Sequence, residues 1–140
     1  IKKLGKKRDD IGSVIMLDDN RYVSFTWHKF FLWDADWNLL DTLETFLYGD
    51  KKPIWAWANK HHIDPMLFYK YDSVIGDYRL TAYWRWHIQI YNPETGETIH
   101  TFYADAMFRT KPIIISQDNA FIVIIGDEKG RILFMRWQPS

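Results

Sequence analysis

No cysteine occurs in the 140 residues. That excludes a disulfide framework and a thiolate metal site, and it accords with a cytoplasmic setting. Charge of either sign is also not in surplus, since 18 Lys and Arg stand against 18 Asp and Glu. Nothing global therefore points to nucleic acid or to an anionic membrane as a partner. The one basic cluster, Lys2, Lys3, Lys6, Lys7 and Arg8, reads as a solvated arm. No apolar run approaches the ~20 residues of a membrane helix. The chain opens on Ile rather than Met and carries no signal-peptide pattern, so it is expected to be an excerpt of a longer protein. What it has in quantity is aromatic residues, 18% of the whole and eight of them Trp, within a hydrophobic fraction of 47%. That supports a real core in one domain or a part of one, and argues against disorder.

The apolar runs are short and separated by turn chemistry. Residues 11–17 are β-branched and apolar, which predicts a buried strand. Asp18-Asp19-Asn20 supplies short polar side chains that bond the local backbone and tolerate left-handed φ. Strands are expected at 22–26, at 30–34 ending in Trp33-Asp34, and at 39–46, giving an antiparallel meander. The pattern then breaks. Residues 53–61 read as a short helix, with Pro53 in the first turn and basic residues at the far end. Asp64-Pro65 closes it. Strand signals resume within 66–75, at 78–83, at 87–92 and at 98–103. They recur at 113–115, 121–125 and 131–137. Residues 1–4 read as a lone outer strand.

Strand, tight turn, strand ending in Trp-Asp, turn, strand is the order of a WD-repeat blade. Tyr91-Asn92 and Met135-Arg136 occupy the place of Trp33-Asp34 in later rounds. The spacings are about 58 and about 44 residues, and the first falls into line with a unit of roughly 40–45 once the insertion is removed. The segments YVSFTWHKFFLWDADWNLLDTLE, RLTAYWRWHIQIYNPETGETIHTFYADA and IIGDEKGRILFMRWQPS carry this pattern. On these residues the chain resembles the C-terminal end of a bacterial WD-repeat β-propeller. The resemblance implies an all-β, partial propeller of about three antiparallel blades, at 11–46, 66–104 and 111–137, with a helical insertion at 48–65. It departs from the family pattern in lacking Gly-His before the inner strand, and only Asp34 keeps the Asp of Trp-Asp. Three repeats are too few for a closed ring of 4–8 blades. The missing part is either upstream sequence or further copies joined head to tail, and the non-Met start favours the first.

Trp33 and Tyr91 are expected to pack between blades, with Asp34 and Asn92 anchoring the next turn through side-chain to backbone bonds. Residues 126–130, ending in Gly130, form a hairpin turn. They lack the spacing and the following helix of a phosphate loop. Trp27, Trp84 and Trp86 fall on turns, where large aromatics are costly unless they meet something. Trp84-Arg85-Trp86 is either an interface anchor or a cover for its own blade edge. Trp55 and Trp57 stand about 200° apart on a helix, so one is expected to pack under the insertion and the other to lie near the surface or touch a partner. His61-His62 is read as a basic helix end, since neighbours on a helix do not converge on a metal. No metal, cofactor or catalytic triad is expected. The functional expectation is a non-catalytic recognition module with a protein partner, the sensor end of a larger cytoplasmic signalling protein. The alternative is an enzyme or small-ligand site in a central channel. That would need convergent polar groups on the inner strands, which read here as 14–17 and 113–115.

Overall fold

Short apolar runs punctuated by Asp, Asn and Gly can close only as hairpins. A computed structural model, which describes residues 12–82 and 86–139, shows them as three antiparallel sheets and one short helix. The first sheet takes β1 (Ser13–Met16), β2 (Tyr22–Phe25), β3 (Lys29–Trp33) and β4 (Leu39–Glu44) in sequence order. Helix α1 (Lys52–Lys60) and a 3-10 turn at Pro65–Tyr69 follow. The second sheet holds β5 (Ser73–Ile75), β6 (Tyr78–Thr81), β7 (His87–Tyr91) and β8 (Thr98–Tyr103), again in sequence order. The third has β9 (Ile113–Gln117), β10 (Ala120–Gly126) and β11 (Ile132–Trp137), with β10 in the middle. None of the sheets formed by the described residues closes into a barrel. The chain divides into two compact units, Ile1–Phe68 and Tyr69–Ser140.

The first two sheets repeat one design. In each, the pairing of third and fourth strands slips by one residue at the same place, between Leu32 and Trp33 and between Ile90 and Tyr91. In each, the aromatic at the end of the third strand is pinned by a polar bond. Trp33 Nε1 donates to Ser24 Oγ at 2.8 Å. The Tyr91 hydroxyl donates to Asp72 Oδ2 at 2.6 Å, and the same oxygen accepts the Thr81 hydroxyl at 2.6 Å. Burial and then the neighbouring Asp72 carboxylate push the Tyr91 hydroxyl pKa well above its ordinary value, so it remains a donor.

Within the first unit, one face of the sheet carries Val23, Phe25, Phe30 and Leu32, set side by side by the pairing of β2 with β3. Helix α1 lies on this face. The Trp57 ring is 5.9 Å from Phe30, and Phe68 meets Phe30 and Phe25 edge-on at 5.1 and 5.2 Å. Ile54, Trp57 and Ala58 form the buried stripe of the helix. Its C-terminus closes with the paired bonds of a Schellman motif, Ile63 N–H to Ala58 O at 2.8 Å and His62 N–H to Asn59 O at 3.2 Å, with His62 at φ +57° in the position glycine usually takes.

In the second unit the second and third sheets pack face to face. Ile75, Leu80, Ile88 and Ile90 meet Val123, Ile125 and Trp137, and all seven are buried. Tyr78 meets Trp137 edge-on at 5.4 Å, and Phe121 lies over the Gly76 turn. Gly76 is required there twice over. Its φ is +61°, and a Cβ would stand 2.9 Å from the Phe121 ring.

Several expectations need correction. The run 11–17 is not a buried strand: β1 is a sheet edge, with Val14 54% and Met16 66% exposed. Residues 113–115 sit likewise on the edge strand β9, with Ile113 61% exposed. Branched apolar residues report a fit to pleated backbone and do not say which strand is central. The stretch 66–75 does contain a first strand, β5, which follows a 3-10 turn and is three residues long. Among the described residues the third sheet has three strands, within the three or four expected, and β11 bonds one neighbour there, β10. Residues 1–4 lie outside the described residues.

Candidate binding surface

Thr26 makes the turn that presents Trp27. Its hydroxyl oxygen accepts the N–H groups of His28 at 3.3 Å and Lys29 at 3.1 Å, and its own N–H donates to Lys29 O at 2.9 Å. The segment after β4 is tied to the same turn, by Thr45 N–H to His28 O at 3.1 Å and Leu47 N–H to Trp27 O at 2.7 Å. Those two bonds set Phe46 beside Trp27. The rings stack with centroids 5.6 Å apart and planes 22° apart, while the His28 ring lies 4.4 Å from Trp27 on a tilt. Trp27 is still 46% exposed and Phe46 57%. The arrangement is an amphipathic aromatic plate on a turn held by five backbone-directed bonds. It can stack on or bury an apolar group without first ordering itself, which lowers the entropic cost of binding.

The second sheet has a counterpart. Ala104 N–H donates to Trp86 O at 2.6 Å, as Thr45 does to His28, and Trp86 is 55% exposed. Trp84 and Arg85 lie outside the described residues. The residues read as repeat positions hold the sheets together. Asp34 Oδ1 accepts the N–H of Asp36 at 2.9 Å and of Asn38 at 2.8 Å. Asn92 Oδ1 accepts from Glu94 at 2.9 Å. The Asp127 turn copies the Asp34 turn bond for bond, accepting from Lys129 and Arg131, with Gly130 at φ +77° where Trp37 has +62°. It does so between the second and third strands of its sheet, whereas Asp34 joins the third and fourth.

The partner contact expected of Trp55 or Trp57 is overturned. Both are buried, Trp55 8% and Trp57 6% exposed, so the insertion is a cap on its own sheet. The 200° between them stands, but both sides of this helix are covered. The polar tie is Asp41, which the sequence reading passed over. Its Oδ2 accepts from Trp57 Nε1 at 3.0 Å and from His61 Nε2 at 2.6 Å. These bonds, His61 first, hold the Asp41 carboxyl below its ordinary pKa. Arg21 adds a second latch, Nη2 to His61 O at 2.9 Å. No local signal marked it, because its partners lie 16 and 20 residues further along the chain.

A cleft of about 680 Å³ opens beside this latch, lined by Asp18, Asp19, Arg21, Lys60, His62 and Asp64 among others. Its walls mix both signs, and Arg21 is already engaged by Asp19 at 2.6 Å. Among the described residues no group of three or more His, Asp or Glu could hold a metal ion, and no helix is long and apolar enough to cross a membrane. No family model matches the chain, and no curated protein matches it.

Proposed function

We propose that the chain is a run of WD-repeat-like propeller blades serving as a non-catalytic recognition module, the sensor end of a larger cytoplasmic bacterial signalling protein. The repeated strand order, the shared one-residue slip and the face-to-face packing of the second and third sheets support the propeller part of this reading. The observation that carries the recognition part is the stacked Trp27–Phe46 plate, half-exposed on a turn fixed by backbone bonds. Rigid sheets with variable turns are a common way to place such anchors against a protein partner.

A photoreactive residue at position 46, expressed in the native host, tests it. One discrete protein adduct is expected, lost with Trp27→Ala while the fold persists. An adduct pattern indifferent to Trp27→Ala would count against the plate as the contact. An experimental structure of the native polypeptide in which these sheets close as a sandwich, with no further blades, would end the propeller reading.

A further inference from the structure

In the second unit a cleft of about 410 Å³ opens between residues of β8 and β11. Its polar lining is Tyr78, His100, Arg136, Trp137 and Gln138. Among the described residues none of these five side chains has a hydrogen-bond or ion-pair partner. The Arg136 guanidinium and the Trp137 indole N–H can only donate, and the other three donate or accept. The lining holds no carboxylate. Asp77 and Glu97, the acids nearest to it in sequence, are not part of it. The larger cleft beside the Asp41 latch differs, with both signs in its walls and its cations facing acids, Arg21 at 2.6 Å from Asp19 and Lys60 at 3.8 Å from Asp41.

Trp137 is the fixed member of the set. Its ring is only 7% exposed, met edge-on by Tyr78 at 5.4 Å and stacked by Phe121 at 6.0 Å. Among the described residues Arg79 Nε is the sole buried side-chain nitrogen or oxygen without a partner. The Trp137 N–H is also unpartnered, so it is not sealed in the core. It reaches solvent where the ring lines the cleft. A ring more than nine-tenths buried thus holds a donor at an opening that supplies no acceptor.

We propose that this cleft binds a small organic carboxylate, an anion carried on a flat apolar body. A planar guanidinium matches the two oxygens of a carboxylate, and the Trp137 N–H adds a donor from a rigid wall. Ile99, Pro139 and the Tyr78 ring offer apolar surface to the body. The volume falls within the roughly 300–1,000 Å³ of small-molecule sites. A cationic ligand would meet Arg136 and no opposing charge. A polypeptide strand brings as many N–H groups as carbonyls, whereas this lining is rich in donors. The site belongs to the second unit, and the inference does not rest on the recognition reading of the first sheet's turn.

Phenylacetate titrated into the ¹⁵N-labelled 140-residue chain tests it. The Trp137 indole N–H resonance, assigned by its loss in Trp137→Phe, is expected to shift and saturate. A dissociation constant on the order of 1 mM is expected for about ten non-hydrogen atoms. Arg136 is exposed, so Arg136→Gln should leave the melting transition unchanged while weakening binding at least tenfold, and Arg136→Lys should recover part of it. No shift of that resonance at 20 mM phenylacetate would overturn the site. So would an equal response to benzylamine, or binding indifferent to Arg136→Gln. Inorganic phosphate binding as tightly as phenylacetate would overturn the apolar body. An experimental structure with a further strand seated in the cleft would overturn the small ligand altogether.

Discussion

The first and third sheets carry similar apolar loads and end differently. The first has one face closed over by a nine-residue helix and a 3-10 turn, with Asp41 and Arg21 latching the cover. The third has its corresponding side chains in water. The difference lies in the connection. Between β4 and β5 the chain supplies a helix that returns onto its sheet, whereas no described element folds over the outer face of the third sheet. An apolar sheet face is a demand, and here one chain answers it once from within.

Phe30→Ala should have the largest effect, since that ring is fully buried between the first sheet, Trp57 and Phe68. A loss of about 3–5 kcal/mol is expected, read from urea unfolding followed by tryptophan fluorescence. If the loss were below about 1 kcal/mol, the helix would not be the cover described. Asp41→Asn should cost less, about 1 kcal/mol, because the carboxylate is partly exposed and its bonds are only partly shielded. Its signature is pH. The folded carboxyl has the lower pKa, so the unfolded chain binds the proton more readily. The stabilisation is therefore present above the ordinary carboxylate value of ~3.9 and fades as pH falls below it. In Asp41→Asn that part of the acid limb should flatten, and an unchanged limb would remove Asp41 from the latch. A second carboxylate, Asp105, is held down to about 2 by its bond to Arg131, but both partners are exposed, and its removal should barely register in a melt. Smallest of all, Phe134→Ser should leave monomer stability within about 0.5 kcal/mol. A large loss there would mean the third sheet's outer face is covered after all.

Much of this was legible because it is local. Asp18-Asp19-Asn20 and Asp118-Asn119 turn the chain as their side chains require, with Asn20, Asp118 and Asn119 all at positive φ. Pro53 opens the helix and the basic end closes it. The equivalence of Trp33 and Tyr91 was visible from spacing, and both sit at the same slip in strand pairing. What could not be read was everything set by a second element. Composition marks residues 14–16 and 113–115 as strand without saying that each lies at a sheet edge. Helical geometry separates Trp55 from Trp57 without saying that both sides are covered. Trp27 stood out as an exposed aromatic, but Phe46 is nineteen residues away and joins it only through the bonds of Thr45 and Leu47 to the turn.

The one-sided bonding of β11 has a consequence in time as well as in space. Strand β3 has neighbours on both sides along its length, so its amides find partners within its sheet. In β11 only alternate amides point toward β10. In deuterated water its odd and even positions should therefore exchange at rates differing by orders of magnitude, a comb where β3 gives a plateau. A strand added to that edge would fill the gaps between the teeth of the comb.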